Sequence, residues 1–287
     1  MLDRIFLYLA VGFLTLLAIV VVFGDFIQPH DPLLQNFLAR DKGPSAVYWL
    51  GTDDFGRDVF SRILEGSRLS MTIGLASPLI AAVIGIAMGT SAAYFGGWAE
   101  RIITRATDMM MSFDPLLLGV LVVALLGPGI LNLSIAISFA LIPSFIRLSR
   151  ASALAVRQEA YVDAAIAMGR PSYSTILRHV LPNISGPLIV VTTLWVGTAI
   201  RLEATLSFIG LGAQPPAPSW GNIVRYGVQN IFGSPLPALF AGLAITLTVL
   251  SFNILGMPCA TASIRTRLCD DRESPDDPRS AGRLWQR

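Results

Sequence analysis

Few side chains of this 287-residue chain have the types and the spacing that catalysis or metal binding requires. The two histidines, His30 and His179, are far apart in the sequence, and the one lysine, Lys42, does not end a G-x-x-x-x-G-K-[ST] phosphate-binding loop. Asp54 and Asp58 would lie one helical turn apart and could hold a metal ion, but no second ligand group follows at a matching spacing. No nucleophile has a base and an orienting group at suitable spacing, so the sequence predicts no enzyme, no metal site and no cofactor.

Composition indicates a membrane protein. Hydrophobic residues make up 53% of the chain and charged residues 14%, well below the roughly 25% charged fraction of soluble domains. The mean hydropathy is +0.63. The net charge of +2 comes without a dense basic cluster, which argues against nucleic acid as a partner. The two cysteines, Cys259 and Cys269, offer no disulfide framework. From the apolar composition we expect one all-α bundle in the membrane.

Six apolar runs are long enough to cross a hydrocarbon core of roughly 30 Å. They cover residues 5–24, 71–95, 102–126, 130–146, 187–209 and 236–255. Arg105, Asp108 and Asp114 interrupt the third run, so its apolar core is expected to begin nearer Met109. The sequence predicts about six transmembrane helices.

Arginine placement predicts the orientation of the bundle. The segment 147–182 contains five arginines and only two acidic residues, Glu159 and Asp163, whereas the segment 207–235 contains Arg225 alone. The positive-inside rule therefore puts the first segment in the cytoplasm and the second outside. With six spans both termini are then cytoplasmic, and residues 25–70 are external.

A polar segment between two spans, residues 159–183, has the pattern of two short amphipathic helices. Apolar stripes at i, i+3, i+4 and i+7 are separated by Gly169, with Pro171 suited to the opening turn of the second helix. The stripes are Tyr161, Ala164, Ala165 and Met168, then Tyr173, Ile176, Leu177 and Val180. A membrane protein with such a pair presents either a docking surface for a partner or an interfacial helix pair that lies on lipid.

The same segment resembles the "EAA" loop of ABC-importer permeases, which reads E-A-A-x3-G-x9-I-x-L-P. Asp163 stands here in place of the family's Glu and His179 in place of its Ile, a departure similar to the dipeptide, oligopeptide and nickel branch. The resemblance implies that this loop contacts a cytoplasmic ATPase and couples to its motion. The implied contact residues are Glu159, Ala160, Asp163, Ala164, Ala165, Gly169, His179, Leu181 and Pro182.

The external segment contains the run GTDDFGRDVFSR, residues 51–62. Its spacing predicts a short helix capped by Thr52 or Asp53, with an apolar face through Val59 and Ile63 and an end at Gly66. The run is similar to the "GTDxxGRDxxSR" segment of the same branch. That resemblance implies a surface for the substrate-binding protein, formed by Gly51, Thr52, Asp53, Gly56, Arg57 and Asp58.

Residues 203–223 read EATLSFIGLGAQPPAPSWGNI, and their prolines and glycines predict a rigid external loop. The run resembles "EASLSFLGLGxQPPxPSWG" of the same branch. Glu203 and Arg201 lie near the outer end of the fifth span, where ionisable residues are usually functional or paired. For Glu203 two roles stay open, a contact with a second permease and a place in the lining of the pathway.

The resemblance ends abruptly after Gly256. The family continues Gly-Asp-x-Leu-Arg-Asp-x-Leu-Asp-Pro, whereas this chain continues with Met257 and Pro258. Residues 256–265 can be written with GC-rich codons. Read from the third base of the Gly256 codon, that DNA would encode Asp-Ala-Leu-Arg-Asp-Arg-Leu-Asp-Pro. We interpret this as a one-base slip, the alternative being natural divergence. The tail is expected to be disordered.

Together these resemblances predict a bacterial inner-membrane permease of the type I ABC-importer fold. We divide it into a first span with an external loop (1–70), a transmembrane core (71–256) and a cytoplasmic tail (257–287). The resemblance implies a homologous second permease, two ATPase subunits, a substrate-binding protein and surrounding lipid as partners, and peptides as substrate. Nickel or another small solute is the alternative substrate. The alternative class is a self-contained secondary transporter. Such a protein would need repeated halves or intramembrane acids for ion coupling, and the sequence shows neither clearly.

Overall fold

In a computed structural model, which describes residues 2–270, the backbone is almost wholly helical. Within that range β-pairing is limited to one isolated bridge between Thr52 and Asp58, which confirms the all-α prediction. The helices are α1 (Leu2–Ile27), α2 (Val59–Phe95), α3 (Gly97–Met111), α4 (Pro115–Leu126), α5 (Ile130–Arg157), α6 (Ala160–Ala167), α7 (Ser172–Thr175), α8 (Leu181–Ile209), α9 (Trp220–Gln229) and α10 (Leu236–Asp270), with a 3-10 turn at Phe37–Ala39 and a π-helical turn at Ile176–Val180.

Five helical stretches of the described chain are long and apolar enough to cross a membrane. They are Ile5–Ile27, Val59–Phe95, Ile130–Arg157, Ser172–Ile209 and Leu236–Gly256. The bent pair α3 and α4 makes a sixth if it is taken as one broken span. The prediction of about six transmembrane helices is thereby confirmed, and the bounds of several spans are corrected.

The third predicted span is not one helix, because α3 and α4 meet at an angle of 96°. The break has a local cause. Asp114 caps α4 by accepting a hydrogen bond of 2.8 Å from the Leu116 N–H, and Pro115 occupies the first turn. Two ion pairs join α3 to α5: Glu100 pairs with Arg150, and Asp108 pairs with Arg147 at 3.1 Å. The charges that interrupted the apolar run thus belong to α3 and its boundary, and only α4 is wholly apolar.

The prediction of a short helix that ends at Gly66 is wrong. Asp58, not Thr52 or Asp53, caps α2 by accepting from the Ser61 N–H at 3.1 Å, and α2 then continues unbroken to Phe95. Gly66 permits close packing instead of ending the helix, since a Cβ there would lie 3.3 Å from the indole of Trp220. α2 therefore joins the first two predicted parts of the chain across residue 70.

The fifth span and the tail also differ from expectation. α7, the π-helical turn and α8 form one continuous helical stretch that begins at Ser172, well before the predicted start at residue 187. The backbone of α10 is helical as far as Asp270, where disorder was predicted from residue 257. Residues 259–270 contain neither Gly nor Pro, so nothing in their sequence stops the helix. The rest of the predicted tail lies outside the described residues.

The core forms where α2 crosses α5. Gly85 and Gly89, four residues apart on α2, allow the two backbones to approach, because a Cβ at Gly85 would lie 3.1 Å from the Ile142 carbonyl oxygen and one at Gly89 2.5 Å from that of Ile146. Ser149 donates a hydrogen bond of 3.1 Å to the Gly85 carbonyl across the crossing. Small residues at this spacing are the usual contact surface of membrane helices, where packing replaces the hydrophobic effect.

Candidate functional site

The polar 159–183 segment is held at one end of the bundle by the residue that ends α5. Arg157 donates a hydrogen bond of 2.9 Å to the Ala93 carbonyl near the end of α2, and its guanidinium lies 5.7 Å from the centre of the Tyr94 ring. α6 begins three residues later, with the Val162 N–H donating to the Glu159 carbonyl at 2.9 Å. The start of α6 is thus attached to both α2 and α5.

α6 buries one face and exposes the other. Val162 is buried in one apolar cluster with Ala153 and Val156 of α5, and Ala165 is 2% exposed. Tyr161 and Met168 are exposed, Met168 by 70%. Ala164 is exposed as well, and so are the predicted contact residues Glu159, Ala160 and Asp163. The predicted single stripe is therefore wrong, since Ala165 packs inward whereas its other members face outward. Val162, which sequence reasoning missed, supplies the inward contact.

The second half of the segment is the beginning of a membrane-spanning stretch, not a separate amphipathic helix. Val180 is buried and Ile176 partly so, while Tyr173 is 74% exposed and Leu177 is exposed too. The turn before α8 widens to a π-helix, in which the Leu181 N–H bonds to the Ile176 carbonyl. Pro182 explains the widening, because it has no N–H for the ordinary i−4 bond.

Gly169 adopts a conformation that glycine alone takes readily. Its φ is +74°, and the Arg170 N–H bonds back to the Ala165 carbonyl at 3.3 Å, as in helix ends closed by a left-handed residue. A Cβ at Gly169 would meet nothing within 4 Å. The backbone angle and not lack of space therefore demands glycine here.

The two halves of the segment meet across this turn. His179 lies 3.4 Å from the Arg170 guanidinium, and its ring centre is 6.4 Å from that of Tyr161. Pro182 is exposed beside it, and Leu181 is half-buried. Partial desolvation, with a smaller contribution from the charge of Glu159, raises the pKa of Tyr161. The exposed residues Tyr161, Ala164, Met168, Tyr173 and Leu177 we call the apolar docking face.

The motif residues 51–58 form a largely buried frame. Asp53 accepts a hydrogen bond of 2.7 Å from the Arg57 guanidinium and lies 3.6 Å from that of Arg62, and all three side chains are buried. Thr52 and Asp58 are buried too. Gly51 and Gly56 have positive φ values and make the turns of this frame. These side chains are thus engaged within the chain, and the contact of this segment with a substrate-binding protein stays a prediction.

Asp54 differs from its neighbour. Its side chain is half-buried and lies 3.9 Å from the Arg57 guanidinium, and burial, followed by the charge of Asp53, raises its pKa. Asp58 is committed to capping α2 and also lies 3.6 Å from His30 Nδ1. Among the described residues no three His, Cys, Asp or Glu side chains are grouped to hold a metal ion.

Glu203 is buried inside its own chain, so it lies neither at a permease contact nor at an open pathway in this structure. Its Oε1 accepts a hydrogen bond of 2.8 Å from Ser207, one helical turn on. The hydroxyls of Ser70 and Ser219 face the same carboxyl group without completing a hydrogen bond of ordinary geometry to Oε2. Arg201, by contrast, is exposed.

The loop between α8 and α9 closes over Glu203. Trp220 donates its backbone N–H to Ser70 at 3.2 Å and its indole N–H to the Ile63 carbonyl at 3.1 Å. Gly221 permits this closure, since a Cβ there would lie 2.5 Å from the Ala204 carbonyl oxygen. The turn that carries Glu203 is therefore joined to α2 through the loop.

Comparison with known proteins relates this architecture to transport. Residues 81–258 match the family described as "Binding-protein-dependent transport system inner membrane component". The chain is 40% identical over 251 residues to the glutathione transport system permease protein GsiD of Pectobacterium atrosepticum, covering 86% of this chain and 83% of that protein. It is also 40% identical over 243 residues to the dipeptide transport system permease protein DppC of Alkalihalophilus pseudofirmus, covering 85% and 80%.

A solved structure supports the fold. A chain of the inward-facing MetNI methionine ABC transporter superposes with a TM-score of 0.58 at 16% identity, over 70% of this chain and 96% of that one. This likeness, at so low an identity, bears on the fold alone. The family match and the two permeases of 40% identity carry the assignment. The chain therefore belongs to the binding-protein-dependent transport system inner membrane components, as an ABC-importer permease of the dipeptide and oligopeptide branch.

Proposed function

We propose that this chain is one permease of an ATP-driven importer of short peptides and supplies half of the translocation pathway. The observation that carries this is the apolar docking face, exposed at the end of a membrane bundle whose sequence has no phosphate-binding loop. An apolar patch on a polar loop of such a protein is best explained by a protein partner. The names of the relatives of 40% identity support a peptide substrate.

The proposed assembly has a homologous second permease, two cytoplasmic ATPase subunits docked on residues 159–182, and a substrate-binding protein on the external side. Both termini are then cytoplasmic, and the 30–58 segment with the 210–220 loop faces outward. Arginines concentrated between residues 147 and 182 support this orientation. Arg57 in the proposed external segment is paired with Asp53 inside its own frame, so it does not count as a free positive charge on that side.

The proposed route by which motion of the docking segment reaches Glu203 is one continuous helical stretch. The stretch Ser172–Ile209 begins in the docking segment and carries Glu203 and Ser207 near its other end. A push on α6 reaches α2 and α5 through Arg157, and a push on α7 moves the rod that carries Glu203. We infer that ATPase closure rocks these elements together and changes which end of the pathway is open.

Uptake measurements test the function. In a host strain lacking the gene, uptake of a radiolabelled dipeptide is expected to fall to background and to return when the intact gene is supplied. Unlabelled dipeptides and glutathione are added as competitors, with nickel ions in a parallel arm. Dipeptide uptake unchanged by the deletion, together with loss of nickel uptake, would move the assignment to the nickel branch.

We also propose that the sequence after Gly256 results from a one-base slip. The family match ends at residue 258, which supports a change of sequence at that point. The gene's DNA is expected to encode Asp-Ala-Leu-Arg-Asp in the shifted frame after the Gly256 codon. A shifted frame that encodes no such run would establish natural divergence instead. The present chain is expected to keep some transport, because docking on residues 159–182 is unchanged. Restoring the frame is expected to raise transport further.

A further inference from the structure

An apolar cavity of about 240 Å³ lies between α1, α2 and α10, and no role described so far uses it. Phe13 and Leu17 of α1, Ile63 of α2 and Ala244 of α10 line its walls, with the indole of Trp220 beside them. The engineered cavities that take up benzene or xenon measure about 150 Å³, so this one has room for a larger apolar group.

The polar groups in the wall are already satisfied by the chain itself. Ser67 donates to the Leu64 carbonyl at 2.6 Å, Thr248 to the Ala244 carbonyl at 2.7 Å, and the Trp220 indole N–H to the Ile63 carbonyl at 3.1 Å. A water molecule needs two to four polar partners and would find none free among these donors. The occupant must therefore be apolar.

The position of the cavity identifies the source of an apolar occupant. Phe13 and Val20 lie roughly 10 to 21 Å along α1 from its end at Ile27, at 1.5 Å per residue, which is inside the hydrocarbon layer. Leu16, Leu243 and Leu247 at its rim are exposed, so the cavity opens sideways into the bilayer. What lies outside that opening is lipid chain.

We propose that this cavity is a binding site for one acyl chain of a phospholipid, drawn from the leaflet nearest the 30–58 segment. The chain enters between α1 and α10 and ends against Trp220. Because Trp220 also holds the loop that closes over Glu203, the bound lipid supports the packing of that loop. The site rests on the membrane placement of the helices and not on the peptide substrate or the ATPase contact.

Fluorescence quenching tests the site with the full chain. Trp220 is kept as the single tryptophan by replacing Trp49, Trp98, Trp195 and Trp285 with Phe, and the protein is placed in vesicles of phosphatidylglycerol brominated on its acyl chains. Although Trp220 is 1% exposed, its emission is expected to be strongly quenched, because bromine reaches the cavity. No quenching, relative to the same protein in unbrominated vesicles, would overturn the proposal.

Matched variants separate the cavity from surrounding lipid. Ala244→Phe fills the cavity with protein and is expected to remove most of the quenching, and the smaller Ala244→Leu to reduce it. Ala18→Phe adds the same side chain to an exposed position of α1 outside the cavity and is expected to change nothing. Equal quenching in Ala244→Phe and Ala18→Phe would contradict the site.

The assembled transporter provides a second readout that does not depend on the fluorescence of one variant. In native mass spectrometry of the purified complex, Ala244→Phe is expected to retain one phospholipid fewer than wild type and than Ala18→Phe. Equal lipid numbers in all three complexes would show that another subunit, and not lipid, covers the cavity. That result would overturn the proposal.

Discussion

Arg157 donates a hydrogen bond of 2.9 Å to the Ala93 carbonyl, and so ties the end of α5 to the end of α2 directly before the docking segment begins. The carbonyl it uses lies in the last turn of α2, where backbone acceptors lose their helical partners. One side chain thus fixes the position of α6 relative to the two helices that form the core. This makes Arg157 a positioning residue for the apolar docking face.

Replacing Arg157 with Ala is expected to lower transport about fivefold, the effect of losing about 1 kcal/mol of coupling. Membrane insertion is expected to remain normal, because the core contacts of α2 and α5 do not change. Transport by the reconstituted complex is the measurement, and its substrate-stimulated ATPase activity reports the coupling. Arg201→Ala, at an exposed arginine of α8, is the control and is expected to retain activity.

Gly89→Leu is expected to destabilise the bundle by about 2 kcal/mol or more, because overpacking would separate α2 from α5. A Cβ there would already lie 2.5 Å from the Ile146 carbonyl oxygen. Gly12→Leu on α1, where a Cβ meets nothing within 4 Å, is the matched control. Thermal unfolding in detergent compares the two, and equal melting temperatures would rule out a close α2–α5 crossing.

Asp53→Asn is expected to lower stability at neutral pH, whereas Asp54→Asn is not. Asp53→Asn leaves Arg57 and Arg62 buried without their carboxylate and is expected to cost about 3 kcal/mol. Asp54 has a raised pKa because of burial, so the folded state binds its proton more tightly than the unfolded state does.

The sign for Asp54 follows from that shift. Its stabilising contribution is full below the unfolded pKa and is lost as the pH rises through the higher folded pKa. Asp54→Asn should therefore leave neutral-pH stability unchanged or slightly higher and flatten its acid dependence. Melting temperatures measured from a pH below the ordinary carboxyl pKa of 3.8 up to neutral pH provide the test. A large loss of stability in Asp54→Asn would contradict this division of roles.

Topology is expected to place Met168 and Phe232 on opposite sides of the membrane. Both side chains are well exposed, Phe232 completely, so single cysteines there should be open to reagent. In a background with Cys259 and Cys269 replaced by Ser, Phe232→Cys should react with an impermeant thiol reagent in spheroplasts, and Met168→Cys only after lysis. Labelling of both from outside would contradict the six-span orientation.

Local patterns predicted the features that depend on local physics. The apolar runs located most spans, and Gly169 was placed correctly because a helix end demands its backbone angle. The Asp114-Pro115 pair is also a local signal, and it marks the 96° bend that an assumed straight span concealed. Gly85 and Gly89 were a readable sign of the α2–α5 crossing as well.

Long-range contacts were beyond such patterns. Nothing near Glu203 in the sequence indicates that Ser70 and Ser219 would enclose its carboxyl group, because those residues reach it only in the folded bundle. The inward turn of Ala165 is similar. It depends on the direction in which α6 leaves α5, which buries Ala165 and places Val162 in one apolar cluster with Ala153. Periodicity located the helix but not its partner.

The central claim, that the apolar docking face at residues 161–177 holds the ATPases, depends on the shape of the turn at Gly169. Gly169→Val should disturb that turn, because a β-branched residue disfavours a φ of +74°, whereas Gly169→Asn tolerates this angle. Both variants should insert normally, since a Cβ at this position meets nothing within 4 Å.

Co-purification of the ATPase subunits with the tagged permease measures the claim most directly. Gly169→Asn is predicted to retain wild-type amounts of ATPase and Gly169→Val to lose most of it, at equal permease levels in the membrane. Full ATPase recovery with Gly169→Val, together with undiminished transport, would contradict the docking assignment.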